Sequence, residues 1–215
     1  VTTQGDNRPI DDTLLLETFV CDNKIEGNFI VGNSSNAHYN SLSDFVNEAQ
    51  FCGVTGDVTL QFEAGTYSDT MSLAYTYVWM NGYALEITSL DQDKENVIFT
   101  TVQDSVARAY ALMRLFAVEN LTISHVTFDA NDTAMILVNI NDSISSKNIS
   151  FLHCKFISAK KYSANSACNA IYKNNRQPLD NLTVKHCEFE NGYNAIYAYG
   201  HSTDNKLRNT NVVID

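Results

Sequence analysis

The sequence predicts an all-β solenoid, a parallel β-helix with an N-terminal capping α-helix, and three observations carry that prediction. First, a nine-residue unit recurs. It reads NLTISHVTF from Asn120 to Phe128, NISFLHCKF from Asn148 to Phe156 and NLTVKHCEF from Asn181 to Phe189, and Asn211-Val212-Val213-Ile214-Asp215 opens a fourth copy. The copies start 28, 33 and 30 residues apart, a period that marks a stacked repeat architecture. Second, apolar residues alternate within each copy, and the alternation changes phase at the histidine. Leu121 and Ile123 share one face, Val126 and Phe128 share one face, and the step between the two pairs is odd. All four enter one core only if the chain turns a corner at Ser124-His125. Third, a second repeated element follows each copy: Ala134-Met135-Ile136-Leu137, Asn169-Ala170-Ile171-Tyr172 and Asn194-Ala195-Ile196-Tyr197, with Ala111-Leu112-Met113 in the same place one rung earlier. It reads as the third strand of each rung. Stacked rungs put equivalent residues in ladders spaced roughly 4.8 Å apart. The expected buried ladders are Leu121/Ile149/Leu182, Ile123/Phe151/Val184 and Phe128/Phe156/Phe189.

Residues 1–26 are polar and acidic apart from Leu14-Leu15-Leu16, and read as a leader or the end of an upstream segment. The β-helix domain then occupies 27–215. Glu26–Gly32 alternates as a strand, and Asn33–Asn36 turns. Tyr39, Leu42, Phe45, Val46 and Ala49 recur at helical spacing, which predicts a helix over about 41–52. Ser41 or Ser43 caps its start, and Gly53 lies just past its end. Such a helix covers the core and strand edges that a first rung leaves open. Val58–Phe62 alternates as a strand, and Ala64–Tyr67 turns away from it. Leu85–Thr88 and Val97–Phe99 supply early rungs on either side of a charged loop at Leu90–Asn96, and Ser158–Ala167 is the longest connection. The fourth copy begins at Asn211 and stops before its corner, so further rungs are expected in a longer parent chain.

These rungs resemble the right-handed parallel β-helix of the pectin-lyase-like superfamily, in which an asparagine often occupies the corner between two strands. Here His125, His153 and His186 stand at the corner position, a structural ladder in a place that tolerates few residue types. The stretch from the glycine-flanked strand through the helix to GVTGDVTLQFEAGTY (Gly53–Tyr67) is similar to the opening of many secreted β-helix proteins of Bacteroidota. The resemblance covers residues from Gly27 onward. It implies a right-handed coil and an extracellular or cell-surface setting among carbohydrates. The superfamily's polygalacturonase branch carries Asn-Thr-Asp and Gly-His-Gly stations. This chain has Asn209-Thr210-Asn211 and, ahead of it, Gly200-His201, so it departs from that pattern in residue and in order.

Composition sets outer bounds. The 215 residues are 44% hydrophobic and 18% charged, enough for a sizeable core. No apolar run reaches the length that spans a bilayer, and no signal peptide is visible at Val1-Thr2-Thr3-Gln4. The formal net charge of −11 disfavours nucleic acid, and no phosphate loop or nucleotide fingerprint occurs. The charge is uneven. Residues 1–146 hold 5 basic and 20 acidic side chains, whereas residues 147–215 hold 9 basic and 5 acidic. Among the five cysteines, Cys154 and Cys187 take the inward position that Val126 holds in the first copy. They read as a stack of small apolar thiols, with a disulfide across adjacent rungs as the strained alternative. Cys21, Cys52 and Cys168 show no metal-ligand spacing.

Candidate chemistry is sparse. A ladder of three histidines has the spacing to serve a metal, but a structural corner ladder is the favoured reading, and no metal or other cofactor is expected. Asp129, Asp132 and Asp142 cluster after the first full copy, where two carboxylates can act as acid and base on a glycosidic bond. Lys160, Lys161, Lys173 and Arg176 lie around the second and third copies, where a lyase would find its base and a cation to neutralise the uronate, with calcium as the alternative to that cation. Tyr172 and Tyr197 are stacked equivalents that point outward if Ile171 and Ile196 point in, and exposed aromatic faces suit sugars. The Asn-x-Ser/Thr triplets belong largely to the repeat itself and say little about glycosylation. Two function classes follow. The favoured one is a secreted or surface-displayed module associated with polysaccharide binding, its contact face formed by Tyr172, Tyr197, Lys160, Lys161, Lys173 and Arg176. The alternatives are a lyase or glycoside hydrolase acting on an acidic polysaccharide, and a structural or adhesin-like spacer.

Overall fold

The computed structural model describes residues 21, 24–68, 71–101, 111–140, 145–160, 167–174, 177–199 and 209–215. The chain begins with β1 (Gly27–Val31), α1 (Leu42–Cys52), β2 (Val58–Phe62), β3 (Gly65–Tyr67), β4 (Met71–Ala74) and a short α2 (Thr76–Trp79). The next coil is β5 (Leu85–Ser89), β6 (Val97–Thr100) and β7 (Ala111–Phe116), followed by β8 (Glu119–Ser124), β9 (Thr127–Asp129) and β10 (Ile136–Ile140). Then come β11 (Ser146–Leu152), β12 (Lys155–Ile157) and β13 (Asn169–Asn174), and β14 (Leu179–Lys185), β15 (Glu188–Glu190) and β16 (Asn194–Tyr199). Strand β17 (Val213–Ile214) ends the series.

Every strand pairs in parallel with its equivalent one coil away, which defines a parallel β-solenoid. Sheet A runs β1-β2-β5-β8-β11-β14-β17, sheet B runs β3-β6-β9-β12-β15, and sheet C runs β4-β7-β10-β13-β16. The repeat unit is the A strand, the A-to-B corner and the B strand, and the second element is the C strand. The predicted ladders are in register: Leu121 beside Ile149 beside Leu182, Ile123 beside Phe151 beside Val184, and Phe128 beside Phe156 beside Phe189. All are fully buried except Phe189, which is partly covered. Phe156 stacks on Phe128 at 5.0 Å with planes 3° apart, and on Phe189 at 5.0 Å and 8°. Edge-to-face contacts from Phe151 to both Phe128 and Phe156 tie the A and B faces of the core together.

Two bends repeat because two residue types accept a left-handed backbone. At the A-to-B corner His125, His153 and His186 have φ of 52°, 54° and 54°. At a bend near the start of the A strands, inside β8, β11 and β14, Asn120, Asn148 and Asn181 have φ of 55°, 55° and 58°, and Asn211, ahead of β17, has 51°. Asparagine is the commoner occupant of this region, because its short amide bonds locally. Here the amides also bond along the axis. Asn181 Nδ2 donates to Asn148 Oδ1 at 2.7 Å, Asn148 Nδ2 donates to Asn120 Oδ1 at 2.7 Å, and Asn120 Nδ2 ends the row on the Gly82 carbonyl at 2.9 Å. The asparagine bend therefore exists beside the histidine corner rather than being replaced by it.

The predicted helix is α1. Ser41 Oγ accepts from the Asp44 amide at 3.1 Å, and Gly53, at φ 73°, ends it by returning its amide to the Ala49 carbonyl. Leu42, Phe45, Val46 and Ala49 are buried, with Phe45 packed against Tyr39 and Trp79. Trp79 comes from α2, where its indole donates to the Ala74 carbonyl at 2.9 Å. Cys52, the last residue of α1, forms a disulfide with Cys21. Ile25 is also buried, and its carbonyl accepts from the Thr55 amide at 3.0 Å. Cys154, Cys168 and Cys187 remain free thiols.

Two expectations change. Gly65–Tyr67 does not merely turn away from β2; it is β3, the first strand of sheet B, too short to show an alternation. β4 and α2 went unforeseen for the same reason. The third-strand alignment is shifted: Ile171 lies beside Val138, not Ile136, and Ile136 lies beside Asn169. A slip of two residues keeps every side chain on its own face, so apolar patterning does not detect it.

Candidate functional site

The third strands place the aromatic candidates. In β10, β13 and β16 the residues Val138, Ile171 and Ile196 share one ladder, and Val138 and Ile171 are fully buried in the core. Alternation sends their neighbours to the outer face of sheet C. That face carries an axial row of Ser72, Arg114, Asn139, Tyr172 and Tyr197, one residue from each coil. The Tyr172 and Tyr197 rings stack at 5.3 Å with planes 20° apart. Tyr197 is the end of this stacked pair among the described residues. Tyr197 is 37% exposed, and Tyr199, two residues on and therefore on the same face, is 44% exposed. Tyr193, just ahead of β16, is also exposed.

The two basic candidates among the described residues, Lys160 and Lys173, do not join this face. Lys173 is a correction: it follows Tyr172 on β13 and so points inward, in the ladder that holds Ala198. It is 2% exposed, and its ammonium donates to the Tyr199 carbonyl at 2.6 Å. A buried, hydrogen-bonded ammonium binds chain rather than ligand. Lys160 lies after β12, on the sheet B side of the coil, and is exposed. Lys161 and Arg176 lie outside the described residues, as do Asp142 and Gly200-His201. Two other basic residues of this half are tied to carboxylates on other coils. Lys147 pairs with Glu119 at 3.0 Å, and Lys155 pairs with Glu190 at 3.2 Å and Glu95 at 3.6 Å. Lys147 and Lys155 thus work as inter-coil ties. Asn209-Thr210-Asn211 is likewise structural. Asn209 Oδ1 accepts from the Leu179 amide at 3.0 Å, and the Thr210 hydroxyl bonds the Asp180 carboxylate.

The histidines form the expected stack. His153 lies 4.9 Å from His125 with planes 11° apart, and 4.9 Å from His186 with planes 28° apart. Their backbone amides bond the next coil, His125 to Leu152 and His153 to Lys185. Burial, and then the charge of His153, push the His125 imidazole below its ordinary pKa. No group of three or more His, Cys, Asp or Glu side chains among the described residues is arranged to hold a metal ion.

Two of the acidic candidates do come together with other polar groups. Past the end of sheet B, Asp129, Asn131, Asp132, Ile157, Ser158, Lys160 and Asn191 line a pocket of about 240 Å³. Asp129 Oδ1 accepts from the Asn131 amide at 2.8 Å, and Asp132 Oδ1 accepts from the Lys160 amide at 2.7 Å. Ser158 is 3% exposed, and its Oγ has no hydrogen-bond partner. A second pocket of about 200 Å³ lies beside α1, lined by Lys24, Ile25, Phe29, His38, Tyr39 and Glu48. The Tyr39 phenol there is raised above its ordinary value by burial and by the Glu48 charge.

Sequence reasoning overlooked Ser158, Asn191, Tyr193 and Tyr199. Tyr199 had a signal, since it shares parity with Tyr197 in an alternating strand. Ser158 and Asn191 had none, because an unmet hydroxyl exists only once the coils are stacked. Comparison with family models, with characterised proteins and with solved structures finds no match to this chain, so its relationships rest on the solenoid itself.

Proposed function

We propose that this chain is a secreted or cell-surface β-solenoid module that binds polysaccharide without cleaving it. The outer face of β13 and β16 is its contact surface. The observation that carries this reading is the row of tyrosines there, with Tyr197 and Tyr199 side by side and exposed on β16 and Tyr172 stacked behind Tyr197. Aromatic rings give a sugar an apolar face to pack on and a phenol to bond. The coil is right-handed, as in the pectin-lyase-like superfamily, and α1 is the lid over its first turn. The Cys21–Cys52 disulfide supports an oxidising, extracytoplasmic setting.

Affinity electrophoresis against neutral and uronate polysaccharides tests binding. A parallel assay follows unsaturated-product absorbance with and without calcium. The expected outcome is retardation in at least one polysaccharide gel with no rise in absorbance. A rise in absorbance would replace the binding module with a lyase, and absence of both would leave a structural spacer.

A further inference from the structure

We propose that an exposed aromatic cluster at the start of sheet C is a second sugar-contact patch, and that a neutral, extended glycan chain runs along the solenoid axis from it to Tyr199. The inference rests on the polysaccharide-binding reading. The cluster forms where β4 runs into α2. The Tyr75 ring meets Phe116 at 5.1 Å and Tyr77 at 6.2 Å, both edge to face. Tyr75 is 41% exposed, Tyr77 37% and the adjacent Val78 64%. Apolar side chains gathered on a surface mark a contact, whereas single ones do not. Tyr75 is the independent sign. Its φ of 52° puts a bulky side chain in the left-handed region, and no other tyrosine, phenylalanine or tryptophan among the described residues is so placed. Glycine or asparagine would sit there with less strain. Tyr75 is also the N-cap of α2 and supplies no side-chain bond to it, as a serine or asparagine would. Neither the backbone nor the helix accounts for this ring, and a residue held against both preferences while facing solvent points to a role at the surface.

Strand register joins this cluster to the tyrosines already described. Leu115 pairs with Ile140, and the pairing of Asn139 with Tyr172 and of Lys173 with Ala198 carries that inward ladder on through β13 to β16. Phe116 follows Leu115 and Tyr199 follows Ala198, so both belong to the next row, on the outer face. They stand three coils apart, about 14 Å at the usual spacing of paired strands. A straight line of contact suits a glycan that is itself straight, as β-1,4-linked hexoses are, and their flat C–H faces pack on aromatic rings. Charge selects a neutral chain over a uronate one. The first patch belongs to residues 1–146, which hold 5 basic and 20 acidic side chains, and that balance repels carboxylates.

The test is calorimetric titration of the intact chain with cello-oligosaccharides of increasing length and with oligogalacturonates of matched length. Affinity for the cello-oligosaccharides is expected to climb at least about tenfold once the chain reaches both patches, because the second contact is then intramolecular. Tyr75→Asn/Tyr77→Ala should abolish that climb. Asparagine suits the left-handed backbone and the Tyr77 ring is exposed, so the melting temperature of this variant should be near that of the parent, which separates lost contact from lost fold. Long-chain binding that needs Tyr197 and Tyr199 but is indifferent to Tyr75→Asn/Tyr77→Ala would overturn the second patch and leave the broader reading standing. Tighter binding of the oligogalacturonates would overturn the neutral-chain assignment. Self-association of the parent in sedimentation velocity, abolished by the same double variant, would make the cluster a contact between copies of the chain instead. No cello-oligosaccharide binding at any length would overturn the inference, while the polysaccharide gels decide the broader reading on their own.

Discussion

Asparagine and histidine share one backbone requirement in this protein and meet it with different chemistry. Asn148 holds a φ of 55° and two amide bonds of 2.7 Å along the axis. Asn148→Ala should therefore cost about 2–5 kcal/mol, from a left-handed alanine at roughly 1–2 and two lost hydrogen bonds at roughly 0.5–1.5 each. Asn148→Gly should recover the backbone part, and urea denaturation of the pair separates the two contributions. The histidine corner adds a pH dependence. His125 is held below its ordinary value near 6.5 by burial and by the His153 charge, with Lys94 acting in the same sense and Glu86 opposing. The folded state thus binds this proton less readily than the unfolded chain. The associated stability is present above pH 6.5 and is lost as pH falls through the lowered folded pKa. His125→Asn, which suits the same backbone, should flatten the stability-versus-pH curve just below pH 6.5, as read from melting temperatures across that window. At this scale the sequence revealed which residues repeat but not what each repeat bonds. The asparagine triplets looked like a mere part of the motif, and Lys173 looked like a surface charge. Its inward direction followed from the parity of Ile171 in the same strand, whereas its burial depends on the coil beyond, which is not local.

Among the elements, those with a strong period were legible and the short ones were not. α1 was readable from apolar spacing, a serine cap and a terminal glycine, because a helix of 11 residues repeats its pattern three times. β2 was readable for the analogous reason. β3 and β4, of 3 and 4 residues, contain too few alternations to stand out. Register in sheet C was misjudged by two residues because that slip leaves the apolar face intact. The Cys21–Cys52 pairing was not foreseen, since cysteines separated by 31 residues carry no spacing signal. It fastens the segment ahead of β1 to the end of α1. Replacing both cysteines with serine should lower stability by about 3–4 kcal/mol on the loop-entropy account. The check is guanidinium denaturation of the variant beside the oxidised parent.

Across the whole molecule, one coil repeated along an axis converts single residues into rows, and the rows decide what the surface can do. Phenylalanines make a continuous core, Lys147 and Lys155 bridge coils to acidic neighbours, and outward tyrosines gather on the last described turn of sheet C. The repeat was plain in the sequence, so the solenoid was too. The contact face was only half legible. Tyr172 and Tyr197 are adjacent as expected, whereas Lys173 lies inside the core and Lys160 on another side of the coil. The binding claim therefore stands on aromatic rather than basic residues, and a double substitution probes it directly. Titration calorimetry of Tyr197→Ala/Tyr199→Ala, against a polysaccharide that the parent chain binds, should show affinity reduced at least about tenfold, as expected for loss of a central aromatic anchor. Its melting temperature should be near that of the parent, because both rings are exposed. Unchanged affinity in a folded double variant would contradict the assignment of this face.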